Sequence, residues 1–231
     1  MRRFAAVVML AAFSGGTLVA QGKEEDRLRE CGTVLKEVLD VPEDIPKDLL
    51  DRAECVIVYP SVKKFAVGVG GSYGRGAMTC RGGENYTGSW SAPAMMVLEG
   101  GSFGLQVGGQ ETDFVLLVMN DRGAKSLLGN KVKLGADASA AAGPKGRTAD
   151  ASTDLAMRAE LLSYTRSRGL FAGISLEGST IRPDTVANHL VYGSELAVSE
   201  IVSGRVPPPS AAKKMVDVLN AHSPKNKSER K

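Results

Sequence analysis

The sequence predicts an α+β domain built on a strongly curved, largely antiparallel β-sheet, barrel-like in its closure, with flanking helices. Three observations predict it. Short apolar runs of strand length, separated by turn residues, recur from Cys55 to Glu177. Glycines sit inside several of those runs, where sheets bend or backbones approach closely. Helical periodicity is confined to the two ends and a few connections. At 231 residues the chain fits one domain, since domains commonly run ~100–200 residues.

The N-terminus reads Met1-Arg2-Arg3, then an apolar run from Phe4 to Phe13, then small residues to Ala20. That is the form of a secretory leader. Ser14-Gly-Gly16 interrupts the run well short of the ~20 apolar residues of a membrane span. We expect cleavage after Ala20 and export to a periplasm or beyond. The resulting division is residues 1–20 as signal peptide, 21–205 as the domain, and 206–231 as a Pro-rich break, a last helix and a basic tail.

Leu28, Cys31, Val34, Leu35, Val38 and Leu39 recur in steps of three and four, one stripe of a helix that Pro42 ends. Its other face mixes charges of both signs, which suits docking on its own domain. Insertion into a membrane surface is the alternative, although such helices carry a basic face and bulky aromatics. A short helix follows Pro46 and runs to Ala53. Cys55–Tyr59 is wholly apolar and reads as a strand buried on both faces, with Pro60–Lys64 as its turn. Phe65–Gly71 and Tyr73–Arg81 are the next strands, joined by a tight turn near Gly71-Ser72, and Glu84–Ser91 is a loop. Met95–Leu98, Phe103–Val107 and Phe114–Met119 extend the sheet, and the last, with no polar face, belongs at its centre.

Asn120 or Asp121 caps a helix over 122–128, and Gly129 is placed for a left-handed stop. Lys131–Ala142 is strand-like and small in its side chains. Ala159–Arg168 and Leu170–Glu177 are two further strands; Pro183 opens a helix through Tyr192, and Gly193 stops it. Val206-Pro-Pro-Pro209 breaks the chain before a last helix over 211–221, and 222–231 is a mobile basic tail.

The formal net charge of +3 is too small for nucleic acid as the main partner, which requires a strong basic field. Three cysteines in an exported chain suggest one disulfide and a spare thiol. Cys55 and Cys80, at the ends of neighbouring strands, are the pair and Cys31 the spare; three buried free thiols remain the alternative. Gly70-x-Ser72-x-Gly74 and Gly100-x-Ser102-x-Gly104 match the hydrolase elbow, but a strand rather than a helix follows each, and His189 and His222 are the two histidines. Gly68-x-Gly70-x-x-x-Gly74 misses dinucleotide spacing by one residue, and no Gly-Lys-Ser/Thr occurs. Cysteines and histidines lack metal-ligand spacing. Glu84, Glu99, Asp113, Asp137 and Glu177 form no carboxylate motif. These readings give a non-enzyme with no cofactor and no metal.

The basic residues carry more. Lys63-Lys64 sits on the expected turn, Lys145 and Arg147 flank Gly146, and Tyr164, Arg166 and Arg168 alternate along one strand face. Such a face can hold an anionic head group, or its arginines can pair with carboxylates of neighbouring strands.

The stretch Leu162–Gly178 (LSYTRSRGLFAGISLEG) resembles the signature of the SYLF family. So do the blocks Ala53–Ser61, Gly100–Gln110, Leu116–Asp121 and Lys133–Ser139, in the same order. The resemblance implies a lipid-binding module: eukaryotic members bind phosphoinositides and, in fungi, actin filaments, while bacterial members are mostly exported. It implies a non-catalytic domain, peripheral to membranes, that associates with anionic lipid; Lys63, Lys64, Tyr164, Arg166 and Arg168, singled out above from turn and strand alternation, are the residues expected to meet it. A structural or protein-interaction module of the cell envelope is the alternative. An exported chain would not meet actin, so actin is not an expected partner.

Overall fold

In the computed structural model the described residues are 14–41, 45–67, 69–103, 108–129, 131–144, 158–167, 170–173 and 176–228. Helix α1 (Ser14–Leu39) is continuous through Ala20, the expected last residue of the leader. Its stripe Leu28, Cys31, Val34, Leu35 and Val38 is buried. Helix α2 (Lys47–Arg52) leads into β1 (Cys55–Val67) and β2 (Val69–Cys80). Then come β3 (Ala94–Phe103), β4 (Gly108–Val118), α3 (Asp121–Leu128), β5 (Val132–Lys133), β6 (Ala140–Ala142), β7 (Leu161–Ser167), β8 (Leu170–Gly173) and β9 (Thr180–Pro183). Three further helices close the chain: α4 (Thr185–Tyr192), α5 (Val198–Ile201) and α6 (Lys213–His222).

The strands form one sheet in the order β5-β9-β3-β2-β1-β4-β7-β6, with β8 also on β7. All pairings are antiparallel except β6 with β7. This is the α+β, curled, largely antiparallel architecture that the sequence predicts.

Both faces of the sheet are covered, and alternation decides which residue goes where. Val56, Val58, Ala77, Met95, Val115, Leu117, Leu162 and Tyr164 face α1, α2 and α6. Cys55, Ile57, Tyr59, Met78, Met96, Leu98, Phe114, Leu116 and Val118 face α3, α5 and the β5 segment. Helix α6 crosses α1 so closely that a Cβ on Gly32 would lie 2.8 Å from the Met215 backbone nitrogen. Cys55 and Cys80 stand directly opposite in the β1–β2 register and are disulfide-linked, with Cα atoms 3.9 Å apart. Cys31 is free and buried; its Sγ lies 3.5 Å from the Val58 carbonyl, and burial pushes its thiol up to about 12.

Several local expectations are corrected. Pro60–Lys64 is no turn but a bulge inside a continuous β1, where the register shifts against both neighbours. Ser61 takes φ 51° there, and its N–H donates to Asp113 Oδ1 at 2.9 Å. The β1–β2 hairpin reverses where Val67 pairs with Val69, so Gly71 and Ser72 lie within β2. Asn120 caps α3 by accepting from the Gly123 N–H, but Gly129 has φ −81° and is not left-handed. Pro183 ends β9, and Asp184 caps α4 instead; Gly193 stops that helix at φ 68°. Lys131–Ala142 is not one strand but β5 and β6, with a bridge between Leu134 and Ala138 across a turn at 135–137.

Phe114 and Leu116 are 1% and 0% exposed. Replacing either with Ala is expected to destabilise the domain by roughly 2–5 kcal/mol, measured by equilibrium denaturation. A loss below about 1 kcal/mol in both would contradict their place in the core.

Candidate functional site

Among the candidate basic residues the side chains of Lys63 and Arg166 are described, in β1 and β7 with β4 between them. Lys63 follows the bulge in β1, opposite Tyr73 of β2 and Glu111 of β4. Its side chain is 58% exposed, with Nζ 3.8 Å from Glu111 Oε1. The backbone of Lys64 is next along the strand, opposite Ser72 and Gln110. The outer part of this hairpin therefore presents at least one lysine to solvent, 3.8 Å from a carboxylate that is itself exposed.

Tyr164 and Arg166 lie on the other side of β4, in β7, and alternation points both toward α1. Tyr164 is buried in the α1-side core. Its ring packs flat on the backbone of Gly143, where a Cβ would sit 2.1 Å from Cζ. Burial raises its phenol well above the ordinary range. Arg166 is 26% exposed and ion-paired with Glu37 of α1. So the polar residues of the signature strand fasten the first helix to the sheet, and Tyr164 offers no surface to a ligand. Arg168, Lys145 and Arg147 lie outside the described residues.

A second set of charges fastens the same helix. Arg75 of β2 reaches Glu24 of α1 at 3.1 Å and Asp184, the α4 cap, at 2.7 Å. Burial opposes the Arg75 charge, but Asp184 and Glu24 outweigh it and hold its pKa above the usual value.

Arg81 was not among the sequence candidates. It is fully buried, stacked over the Trp90 ring at 4.3 Å. Its Nε donates to the Ala53 carbonyl and its Nη2 to Ser223 Oγ at 2.6 Å. Burial lowers its pKa to about 10, against the pull of Asp51 and Glu54. Trp90 Nε1 donates to the Ser223 carbonyl. The segment after α6 is thus part of the structure as far as Ser228, not a mobile tail. Asn226 donates to Glu54 Oε2, and Lys227 contacts Asp51 through its backbone N–H and its Nζ at 2.7 Å each. Arg81 directly after a buried strand and Trp90 as the single tryptophan were the available signals. Their partner, some 130 residues on, was not visible in either.

Two depressions are lined by described residues. A polar cleft of about 360 Å³ lies between Asn120, Arg122, Ser139, Arg158 and Glu160. Its buried carboxylate, Glu160, is already held by Arg122 and by the N–H and hydroxyl of Ser139. A more apolar groove of about 630 Å³ runs along Val186, His189, Leu190 and Leu196; Val186 is 68% exposed. The elbow-like serine of β2, Ser72, lies in mid-strand opposite Gly100 and not on a strand-to-helix turn. Among the described residues no three His, Cys, Asp or Glu side chains come together as a metal site.

A family model described as Ysc84, Las17-binding protein actin regulator, matches residues 99–222. An SH3 domain-containing protein of Schizosaccharomyces pombe is 33% identical over 190 residues, 80% of this chain and 43% of that protein. LAS seventeen-binding protein 3 of Saccharomyces cerevisiae is 33% identical over 190 residues, 81% of this chain and 40% of its own. The mouse SH3 domain-containing YSC84-like protein 1 is 33% identical over 159 residues, 66% and 47% of the two chains. The chain spans less than half the length of these curated relatives. They overturn two expectations. The relatives are yeast and mammalian proteins named for SH3 domains, YSC84 and Las17 binding, so the expected export to a periplasm or to the medium, with an envelope protein as partner, is set aside. The dismissal of actin falls with it, because it rested on export alone and the matched family is described as an actin regulator.

Burial raises the Asp51 carboxyl, but hydrogen bonds from Lys227, Lys47 and Ser223 outweigh it and hold its pKa below the ordinary carboxylate value. A carboxyl lowered on folding contributes stability that is complete above the unfolded value of ~3.9 and is lost as pH falls through the folded one. Asp51→Asn is therefore expected to cost roughly 1–2 kcal/mol at neutral pH, since both lysines are largely exposed. The difference from the unmodified chain should shrink below about pH 4. Denaturant titrations across pH check it; a pH-independent difference would assign the effect to packing.

Proposed function

The chain belongs to the SYLF family, the family of the Ysc84 model, and on that premise we propose that it is a non-catalytic binding domain that works in actin regulation by docking a Las17-like protein partner. The observation that carries this reading is the family match, which runs from the middle of β3 to the end of α6 and takes in β4 to β9. Its non-catalytic character is supported by the placement of the polar residues. Arg166, Arg75 and Glu160 are each engaged by a neighbouring charge, which suits holding a shape more than turning over a substrate. Val186, in the groove along α4, is the apolar side chain that a protein partner would cover.

A second reading, association with anionic lipid, is favoured by the exposure of Lys63 at the outer part of the first hairpin. Each Lys or Arg near an anionic surface contributes ~1 kcal/mol, so one or two such residues give weak, reversible attachment. That attachment would be screened over ~8–10 Å at physiological salt.

Purified chain should co-sediment with actin filaments in the presence of Las17, and Val186→Glu should reduce capture by Las17 at least about fivefold, the loss expected when a charge enters an apolar contact. Vesicles with and without anionic lipid form the parallel arm. There, Lys63→Glu with Lys64→Glu should weaken sedimentation about tenfold or more, while Lys225→Glu should not. Lys227 is unsuitable as the control because it holds Asp51. Absence of binding to actin and Las17 would overturn the first reading, and absence of binding to anionic vesicles the second.

A further inference from the structure

The segment after α6 is seated as a peptide ligand would be. Ser223 is buried; its Oγ accepts from Arg81 Nη2 at 2.6 Å and donates to the Leu50 carbonyl at 3.3 Å. Its carbonyl accepts from Trp90 Nε1 at 2.9 Å. Three residues on, Asn226 Nδ2 donates to Glu54 Oε2 at 2.6 Å and to the Tyr86 carbonyl at 3.0 Å. Lys227 Nζ then meets the buried Asp51 carboxylate at 2.7 Å. Between these anchors Pro224 and Lys225 are exposed, and the Lys227 side chain is itself 66% exposed. Residues 223–228 belong to no helix or strand, so their release breaks no ladder.

The closed arrangement also leaves polar groups unmet and backbone strained. Arg81 Nη1 and Ser228 Oγ are buried and have no hydrogen-bond partner among the described residues, and a buried polar group without a partner costs its desolvation. The turn whose carbonyl receives Asn226 holds two left-handed residues in succession, Asn85 at φ 54° and Tyr86 at φ 57°. Such a conformation is unfavourable for a bulky side chain and is concentrated at ligand clamps and switch regions. The lysine of the outer anchor is largely in water, where an ion pair is weak. A segment held in this way can be exchanged for another.

We propose that residues 223–228 are the internal occupant of a peptide-recognition site, and that a partner segment of the same chemistry displaces them. That segment carries a hydroxyl residue, then a carboxamide and an ammonium three and four positions on, as Ser223, Asn226 and Lys227 do. The site dictates this choice. The Arg81 guanidinium and the Trp90 indole are donors, and they take the hydroxyl and the carbonyl of one residue. Glu54 and Asp51 are acceptors that require an amide and a cation, and together they reject an acidic peptide. Trp and Arg are also the side chains that dominate binding energy at protein interfaces, and here both are covered only while the internal segment is in place. The site shares no residue with the groove along α4, so it stands or falls apart from the functional reading above.

The probe is a synthetic peptide of residues 222–228, titrated into the full chain while Trp90, the single tryptophan, reports by its fluorescence. Asn226→Ala with Lys227→Ala in the chain loosens the outer anchors and leaves Ser223 in place. This variant should bind the peptide at least about tenfold more tightly than the unmodified chain, because apparent affinity scales with the fraction of sites that are open. A peptide carrying Lys227→Glu should bind the loosened chain at least about tenfold more weakly, as reversal of an interfacial charge does. In the unmodified chain, hydrogen exchange should show the Lys227 amide and the Trp90 indole N–H opening more readily than the amides of β1. Lack of saturable binding to the loosened chain, no gain on loosening, equal binding of the two peptides, or exchange at Lys227 and Trp90 only through global unfolding would each overturn the proposal.

Discussion

Everything in this molecule depends on a sheet whose two faces are both buried. Most antiparallel sheets face water on one side, and their strands alternate apolar with polar residues. Here β1 and β4 have a helical layer on one side and α3, α5 and the β5 segment on the other. Each central strand must consequently be apolar at successive positions, as in Cys55–Tyr59 and Phe114–Val118. Each buried residue contributes to one of two separate cores, and neither core can form without the sheet between them.

That constraint explains where the charges go. A sheet covered on both sides has little room for charge, and the arginines of its strands are used to fix the covering layers. Arg166 to Glu37 and Arg75 to Glu24 join α1 to opposite flanks of the sheet, while Arg75 to Asp184 adds α4. Arg81 is the extreme case: a buried guanidinium sandwiched by Trp90 and held by Ser223 from the far end of the chain. Such residues look like ligand contacts in the sequence because they are charged in an apolar context. In the fold they are the fasteners of the helices and of the C-terminal segment.

This separates what was legible from what was not. Runs of apolar residues gave the strands β1 and β4, periodicity gave the buried stripe of α1, and cap residues gave the start of α3 and the end of α4, because each is determined within a few residues. The pairing of Cys55 with Cys80 was legible for the same reason: both end strands that are neighbours in sequence. The bulge at Pro60-Ser61 was not, since Pro and Ser equally suit a turn, and what chooses between them is Asp113 on another strand accepting the Ser61 N–H. Nor was the orientation of Tyr164 and Arg166, because alternation places both residues on one face without saying what covers it. The cover is α1, more than 120 residues earlier. The apolar N-terminal run, read as a leader, suggested an export compartment that the yeast and mammalian relatives overturn.

The curl of the sheet follows from the same bulge. Between Tyr59 and Val62 the β1 backbone carries extra chain relative to its neighbours, which increases local twist and bends the strand. A bend of this kind drives β1 toward β2, and β2 accepts it with glycine. A Cβ on Gly76 would lie 1.9 Å from the Val58 carbonyl, and one on Gly74 would lie 2.6 Å from a Val62 methyl. The similar Gly-Gly-Ser-aromatic segments of β2 and β3 continue the accommodation, since Gly70, Gly71 and Ser72 pair with Ser102, Gly101 and Gly100. A Cβ on Gly100 would meet Ser72 Oγ at 2.5 Å and Ser179 Oγ at 2.8 Å. The repeat that resembles a catalytic elbow is therefore two mid-strand segments paired with each other along the bend. Gly100 is without a side chain where Ser72 and Ser179 approach it from either side.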